Sequence, residues 1–228
     1  MTQIQHVFFD LDHTLWDFEK NSDLAFQKVF TKHSITLNIE TFLTVYKPLN
    51  FNYWKLFREE KVTKDKLRYG RLKDSFDALN YTISDAIIDE MAVDYLDFLP
   101  DFNYLFDGTF ELLDYLKDKY KLHIITNGFE EVQNKKMMSS NIYHYFDKII
   151  TSESVGVKKP NPKVFTYALD IAKANKDNSI MIGDSLEADI EGAINVGMQA
   201  IYCNFENNTS VKGDFFSVNS LLEIKQYL

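Results

Sequence analysis

The stretch 6-HVFFDLDHTLWD-17 places three apolar residues, Val7 to Phe9, directly before two aspartates, Asp10 and Asp12, one residue apart. A short apolar run bounded by polar residues reads as a strand buried on both faces, the kind a parallel sheet uses. Side chains alternate along an extended chain, so Asp10 and Asp12 are expected to point the same way if the chain stays extended past Phe9. Two carboxylates about 4 Å apart repel by on the order of 4 kcal/mol at an effective dielectric of about 20. The pair therefore calls for a divalent cation, a retained proton on one member, or a well-solvated turn at the strand end.

Outward from this stretch, similar apolar runs recur at 122–126 and 179–183, with weaker ones at 148–151 and 199–203. Helical patterns fill the intervals at 109–119, 130–140, 162–174 and 186–196. Strands alternating with helices predict an α/β fold, a doubly wound, Rossmann-like parallel sheet whose ligand crevice lies beyond the carboxyl ends of the strands. Residues 18–102 break this rhythm with four helical patterns, near 19–33, 39–59, 63–80 and 84–98, and no convincing strand. The expected organisation is an α/β core of 1–17 and 103–228 with an inserted helical domain of 18–102. A polar surface loop at 205–214 and a closing helix at 218–228 complete the expectation. The chain shows neither internal repeats nor low-complexity segments.

The 228 residues suffice for one sizeable core, and 45% hydrophobic with 26% charged residues is an ordinary globular balance. A formal net charge of −9 repels phosphate backbones and anionic lipid surfaces, which argues against nucleic-acid polymers and membranes as partners. No stretch reaches the roughly 18 apolar residues of a membrane span, and the first residues lack an apolar run behind a basic start, so a cytoplasmic location is expected. The lone cysteine, Cys203, fits a reducing compartment and rules out a cysteine metal cage. Sequons at Asn207 and Asn208 carry no meaning in that compartment.

Three more strand ends carry chemistry. "IITNG" sets Thr126 and Asn127 between an apolar strand and a helix whose N-terminus offers free amides to an anion. "SIMIGDSLEAD" ends a strand at Asp184 and adds Asp189 in the following helix. "GVKKPNPKVF" supplies cations in an extended loop, with Asn161 as N-cap and Pro162 as first helical residue; physics alone leaves Lys158 and Lys159 equivalent. In a doubly wound sheet these ends converge on one crevice. Clustered carboxylates without imidazole or thiolate suit Mg²⁺, a hard ion that bridges to phosphate oxygens, and a small phosphorylated metabolite is the partner such a site would take.

In this order the motifs resemble the haloacid dehalogenase superfamily of aspartate-nucleophile phosphohydrolases: "FFDLDHTL" is similar to its first motif, "IITN" to its second, "KKPNP" to its third and "GDSLEAD" to its fourth. The helical insertion is similar to that family's α-helical cap, which closes over the site. The resemblance implies Asp10 as nucleophile, Asp12 as general acid and base, and Thr126 and Lys159 as holders of the transferring phosphoryl group, with Asn127 beside them in substrate binding. It implies Mg²⁺ held by Asp10, the backbone carbonyl of Asp12, and Asp184, with Asp189 in support. It also selects Lys159 over Lys158. Asp12, absent from dehalogenases, favours phosphate esters over carbon–halogen bonds. His13 stands where the family often has glycine.

The stretch "VYKPLNFNYWKLFREEKVTKDKLRYGRL", with "IITNGF" and "SESVGVKKPN", further resembles helical-cap pyrimidine 5'-nucleotidases, which implies a nucleoside 5'-monophosphate substrate. Trp16, Tyr46, Tyr53 and Trp54 are candidates for stacking a base, and Lys47 or Arg71 for meeting its polar groups. The alternatives are a sugar-phosphate mutase or phosphoglycolate-type phosphatase of the same fold. A non-catalytic regulatory module has no need of both Asp10 and Asp12. A dinucleotide fingerprint, a phosphate-binding loop lysine, a serine-hydrolase elbow and a zinc-spaced histidine pair are all missing.

Overall fold

The computed structural model describes residues 3–206, 213 and 215–228. The two sequons and most of the 205–214 loop therefore lie outside the described residues. Two compact units partition the chain, Met1–Phe18 with Asn103–Leu228, and Glu19–Phe102.

The first unit is built on six parallel strands in the order β3-β2-β1-β4-β5-β6: β1 His6–Phe9, β2 Lys121–Thr126, β3 Phe146–Thr151, β4 Ser179–Gly183, β5 Gln199–Cys203 and β6 Phe216–Val218. Helices α5 Thr109–Lys117, α6 Glu130–Ser139, α7 Ser152–Val155 and α8 Pro162–Ala172 connect the strands, as does a wide π turn, Leu186–Glu191, that runs into α9 Gly192–Asn195. Every residue of β1 and β4 is buried, which is why each reads as an apolar run behind one polar residue, His6 or Ser179. Phe8, Ile125, Met181 and Ala200 pack with Val164, Phe165 and Ala168 of α8 in one continuous core. Strand order reverses between β1 and β4, so the crevice at their carboxyl ends is the switch point of the sheet.

Two expectations change. The closing segment is not one helix over 218–228: β6 adds a sixth strand to the edge of β5, and a 3-10 helix, Leu221–Gln226, follows it. Only Val218 of this three-residue strand is buried, too little for an apolar alternation to register. The helix expected over 186–196 opens instead as the π turn, in which the Ile190 N–H reaches the Ser185 carbonyl five residues back at 3.3 Å.

The second unit consists of α1 Phe18–Lys32, whose first residue belongs to the other unit, followed by α2 Ile39–Arg58, α3 Lys64–Ala78 and α4 Asp85–Phe98. Side chains of Asn38, Thr63 and Ser84 accept hydrogen bonds from the N–H groups of Thr41, Lys66 and Ile87, capping α2, α3 and α4 in turn. Its core is aromatic: the Phe26 ring centre lies 5.3, 4.5 and 4.4 Å from those of Phe42, Tyr46 and Tyr95.

Candidate active site

The Asp10 N–H donates to Ile182 O at 2.9 Å, continuing the sheet one residue past β1 and fixing Asp10 at the switch point. Its carboxylate meets the Lys159 ammonium, which comes from the loop before α8. Lys159 Nζ lies 2.7 Å from Asp10 Oδ1, 2.6 Å from Asp189 Oδ1 and 2.7 Å from the Ile125 carbonyl, so all three of its N–H donors are used. Lys159 is only 2% exposed, whereas Lys158 is partly open to solvent. The loop backbone around Lys159 is held in turn by Asn127, whose Nδ2 donates to Lys159 O at 3.0 Å and whose Oδ1 accepts from Lys159 N at 2.8 Å.

Asp10, Asp184 and Asp189 bring one carboxylate oxygen each within 4.8 Å of the others. Asp189 spends Oδ1 on Lys159 and Oδ2 on the Ser185 N–H at 3.0 Å, while Asp184 Oδ1 accepts from Thr14 at 3.1 Å. Gly183 makes the approach possible, because a Cβ there would lie 2.3 Å from Asp189 Oδ2. Burial pushes the Asp10 carboxyl well above its ordinary range, with Asp189 and Asp184 adding to the effect against the pull of Lys159. Burial and then Asp189 hold Asp184 up at about 7. Burial opposes the Lys159 charge, but Asp10 and Asp189 outweigh it and raise the ammonium above its usual value. Two buried carboxylates and the half-buried Asp184 thus cluster around one ammonium, and the negative excess in an all-oxygen setting is what a hard divalent cation would compensate.

Asp12 is not part of this cluster. Its Oδ1 accepts from Lys136 Nζ at 2.7 Å and its Oδ2 from Gln133 Nε2 at 3.0 Å, both on α6. The two aspartates of the first motif are therefore neutralised separately, each by its own lysine, rather than sharing one compensating group. Thr126 is joined to Asp12 through the same Gln133 Nε2, 2.7 Å from Thr126 Oγ1. Lys136, 2% exposed, lies with its Nζ 4.3 Å from the centre of the Trp16 ring, and Trp16 Nε1 donates to Ser140 Oγ at 3.1 Å.

The structure thus brings Asp10, Asp184, Asp189 and Lys159 together, links Asp12 to Thr126, and commits Asn127 to the Lys159 backbone. Sequence reading missed Thr14, Ser185, Gln133 and Lys136. Gln133, Lys136 and Ser140 share one helix face, but polar residues at that spacing read as a solvated face. His13 adopts φ 63°, the left-handed region that favours glycine, and its ring packs 4.9 Å from Phe18. Of the residues considered for base stacking, Trp16, Tyr46 and Tyr53 are buried, and Trp54 is partly exposed. Lys47 is engaged by Glu19 and Asp23, both at 2.9 Å.

The family profile for haloacid dehalogenase-like hydrolases matches residues 4–197. The chain belongs to that family. Within it, the chain is 34% identical to the pyrimidine 5'-nucleotidase YjjG of Escherichia coli, covering 97% of this chain and 96% of the relative. It is 31% identical to a glyceraldehyde 3-phosphate phosphatase of Methanothermobacter thermautotrophicus, over 96% and 93% of the two chains. The solved structure of Bacillus subtilis YfnB bound to magnesium superposes with a TM-score of 0.89 at 28% identity, covering 100% and 99%. This haloacid dehalogenase-like hydrolase is a phosphoric monoester hydrolase, close to pyrimidine 5'-nucleotidases and glyceraldehyde 3-phosphate phosphatases. Among the described residues no helix is long and apolar enough to cross a membrane.

Proposed function

We propose that this hydrolase releases phosphate from a nucleoside 5'-monophosphate through an aspartyl-phosphate on Asp10. The observation that carries the mechanism is the buried cluster in which one lysine, Lys159, joins Asp10 and Asp189 beside Asp184. The near full-length likeness to a pyrimidine 5'-nucleotidase supports the substrate class.

In the first step an Asp10 carboxylate oxygen forms a bond to phosphorus as the ester P–O bond breaks, and the departing oxygen takes a proton from Asp12. In the second, water attacks the same phosphorus, Asp12 takes its proton, and the bond to Asp10 breaks to release inorganic phosphate. Lys159 stabilises the charge developing around the phosphoryl group through its field, since its three hydrogens are held by protein oxygens. Thr126 binds a phosphoryl oxygen, and Asn127 holds the Lys159 backbone in place. Asp10, Asp184 and the Asp12 carbonyl would hold Mg²⁺, with Asp189 supporting from its bonds to Lys159 and Ser185. When bound, Mg²⁺ supplies positive charge to the phosphoryl oxygens. The helical unit is the family's cap in this reading.

A second reading, hydrolysis of a triose phosphate, has the glyceraldehyde 3-phosphate phosphatase relative in its favour. A phosphate-release screen over nucleoside 5'-monophosphates, glyceraldehyde 3-phosphate, hexose phosphates and phosphoglycolate separates the two. The expected result is highest kcat/KM on a pyrimidine nucleotide; a triose phosphate preferred over every nucleotide overturns it. Asp10→Asn should abolish release on all substrates while the fold persists.

A further inference from the structure

We propose that Gln133 is a positioning residue of the phosphatase reaction: it donates both amide hydrogens, keeping the Thr126 hydroxyl free to donate to a phosphoryl oxygen and holding the Asp12 carboxylate in one orientation beside Lys136. The proposal rests on the phosphatase roles given above to Thr126 and Asp12.

The hydrogen-bond inventory leads there. A threonine hydroxyl has two acceptor lone pairs and one hydrogen to give. Thr126 Oγ1 accepts from the Gly128 N–H at 3.1 Å and from Gln133 Nε2 at 2.7 Å, so both lone pairs are occupied. Among the described residues its hydroxyl hydrogen has no acceptor, although Thr126 is only 1% exposed. A buried donor with no protein partner, locked into donating, suits an incoming phosphoryl oxygen. The other amide hydrogen of Gln133 goes to Asp12 Oδ2 at 3.0 Å, and Lys136 takes Oδ1. Turning the amide over would set Gln133 Oε1 against the Asp12 carboxylate, acceptor against acceptor; as placed, Oε1 is buried without a partner. That unpaired oxygen is a cost the site carries to point both N–H groups at the two reacting residues.

Gly128 belongs to the same device. A Cβ at this position would lie 2.4 Å from both Cδ and Nε2 of Gln133, so the residue after Asn127 must lack a side chain for the amide to sit where it does. Gln133 itself is fully buried on the inward face of α6, three residues before Lys136, and the helix delivers both groups to Asp12 as one unit.

The test is steady-state hydrolysis of p-nitrophenyl phosphate by the full chain with Mg²⁺, alongside thermal melting. Gln133→Leu and the near-isosteric Gln133→Glu should lower kcat about 10- to 100-fold with KM changed less than about threefold. Gly128→Ala, which keeps every reacting group, should lower kcat in the same way; it decides the matter should both Gln133 variants fail to fold. In a Thr126→Val background, Gln133→Leu should cost clearly less than it does alone, because one of its two targets is already gone and only the hold on Asp12 remains to be lost. Full kcat in a folded Gln133 variant, or an undiminished loss in the Thr126→Val background, overturns the proposal. Asp10→Asn run in parallel separates the two levels: an inactive Asp10→Asn beside a fully active Gln133→Leu removes only the role of Gln133, whereas an active Asp10→Asn removes the phosphatase mechanism beneath it.

Discussion

In the sheet-bearing unit the buried lysines each face carboxylates, Lys136 at 2.7 Å from Asp12 and Lys159 at 2.7 and 2.6 Å from Asp10 and Asp189. In the helical unit the buried cation is Arg71, 2% exposed, and among the described residues it meets no carboxylate. Its Nη1 donates to Asn50 Oδ1 at 2.8 Å, its guanidinium lies 5.8 and 5.1 Å from the Tyr46 and Tyr95 ring centres, and its Nε has no partner. The contrast separates two ways of tolerating charge in a core. Ion pairs at strand ends are mutually dependent, and losing one partner strands the other in a low-dielectric site. A guanidinium resting on aromatic faces strands no charge when it is replaced.

This comparison breaks most sharply at Lys159. Lys159→Met should cost about 3–5 kcal/mol in a denaturant midpoint experiment, because Asp10 and Asp189 lose their shared counter-charge, and should reduce phosphate release at least about 1,000-fold. A variant of wild-type stability would mean that the pair was not holding the cluster.

A smaller effect lies lower in the sheet, at a buried pair that holds no charge at neutral pH. His6 Nδ1 and His123 Nε2 are 3.1 Å apart, and burial, followed by the neighbouring His6, pushes His123 down to about 4. The unfolded chain takes up that proton near pH ~6.5. Stability from this group is therefore complete above about 6.5 and is lost as pH falls toward about 4. Asp184, held up at about 7, acts in the opposite direction over the same range in metal-free protein, favouring the folded state at low pH. The informative quantity is thus the difference between wild type and His123→Phe. The wild type should lose on the order of 1–3 kcal/mol relative to the variant between pH 6.5 and 4. Parallel pH curves would place the histidine's proton elsewhere.

Arg71→Met should show the smallest change, within about 1 kcal/mol of wild type and of either sign, since Tyr46 remains within 3.4 Å of Asn50 Oδ1. A loss as large as that of Lys159→Met would show that the two units bury charge alike.

These differences also track what could be read in the sequence. Strands buried on both faces write their own boundaries as apolar runs, so Asp10, Thr126 and Asp184 were legible as strand-end residues, and Lys159 became so beside its motif. Gln133 and Lys136 were not, because the carboxylate that engages both is Asp12, 121 and 124 positions away in the chain. Local periodicity marks such residues as solvated, and only the tertiary contact reverses that. Arg71 belongs to the same class, on a helix whose sequence is mostly polar. The strand Phe216–Val218 escaped for a different reason: it is three residues long, and pairing with β5 rather than its own pattern makes it a strand.

If Asp10 carries the phosphoryl group during turnover, rapid acid quench of the working enzyme followed by peptide mapping detects it there. The expected result is a phosphoryl group on Asp10 and none in Asp10→Asn; a phosphoryl group on another residue, or turnover with Asp10 never modified, rules the mechanism out.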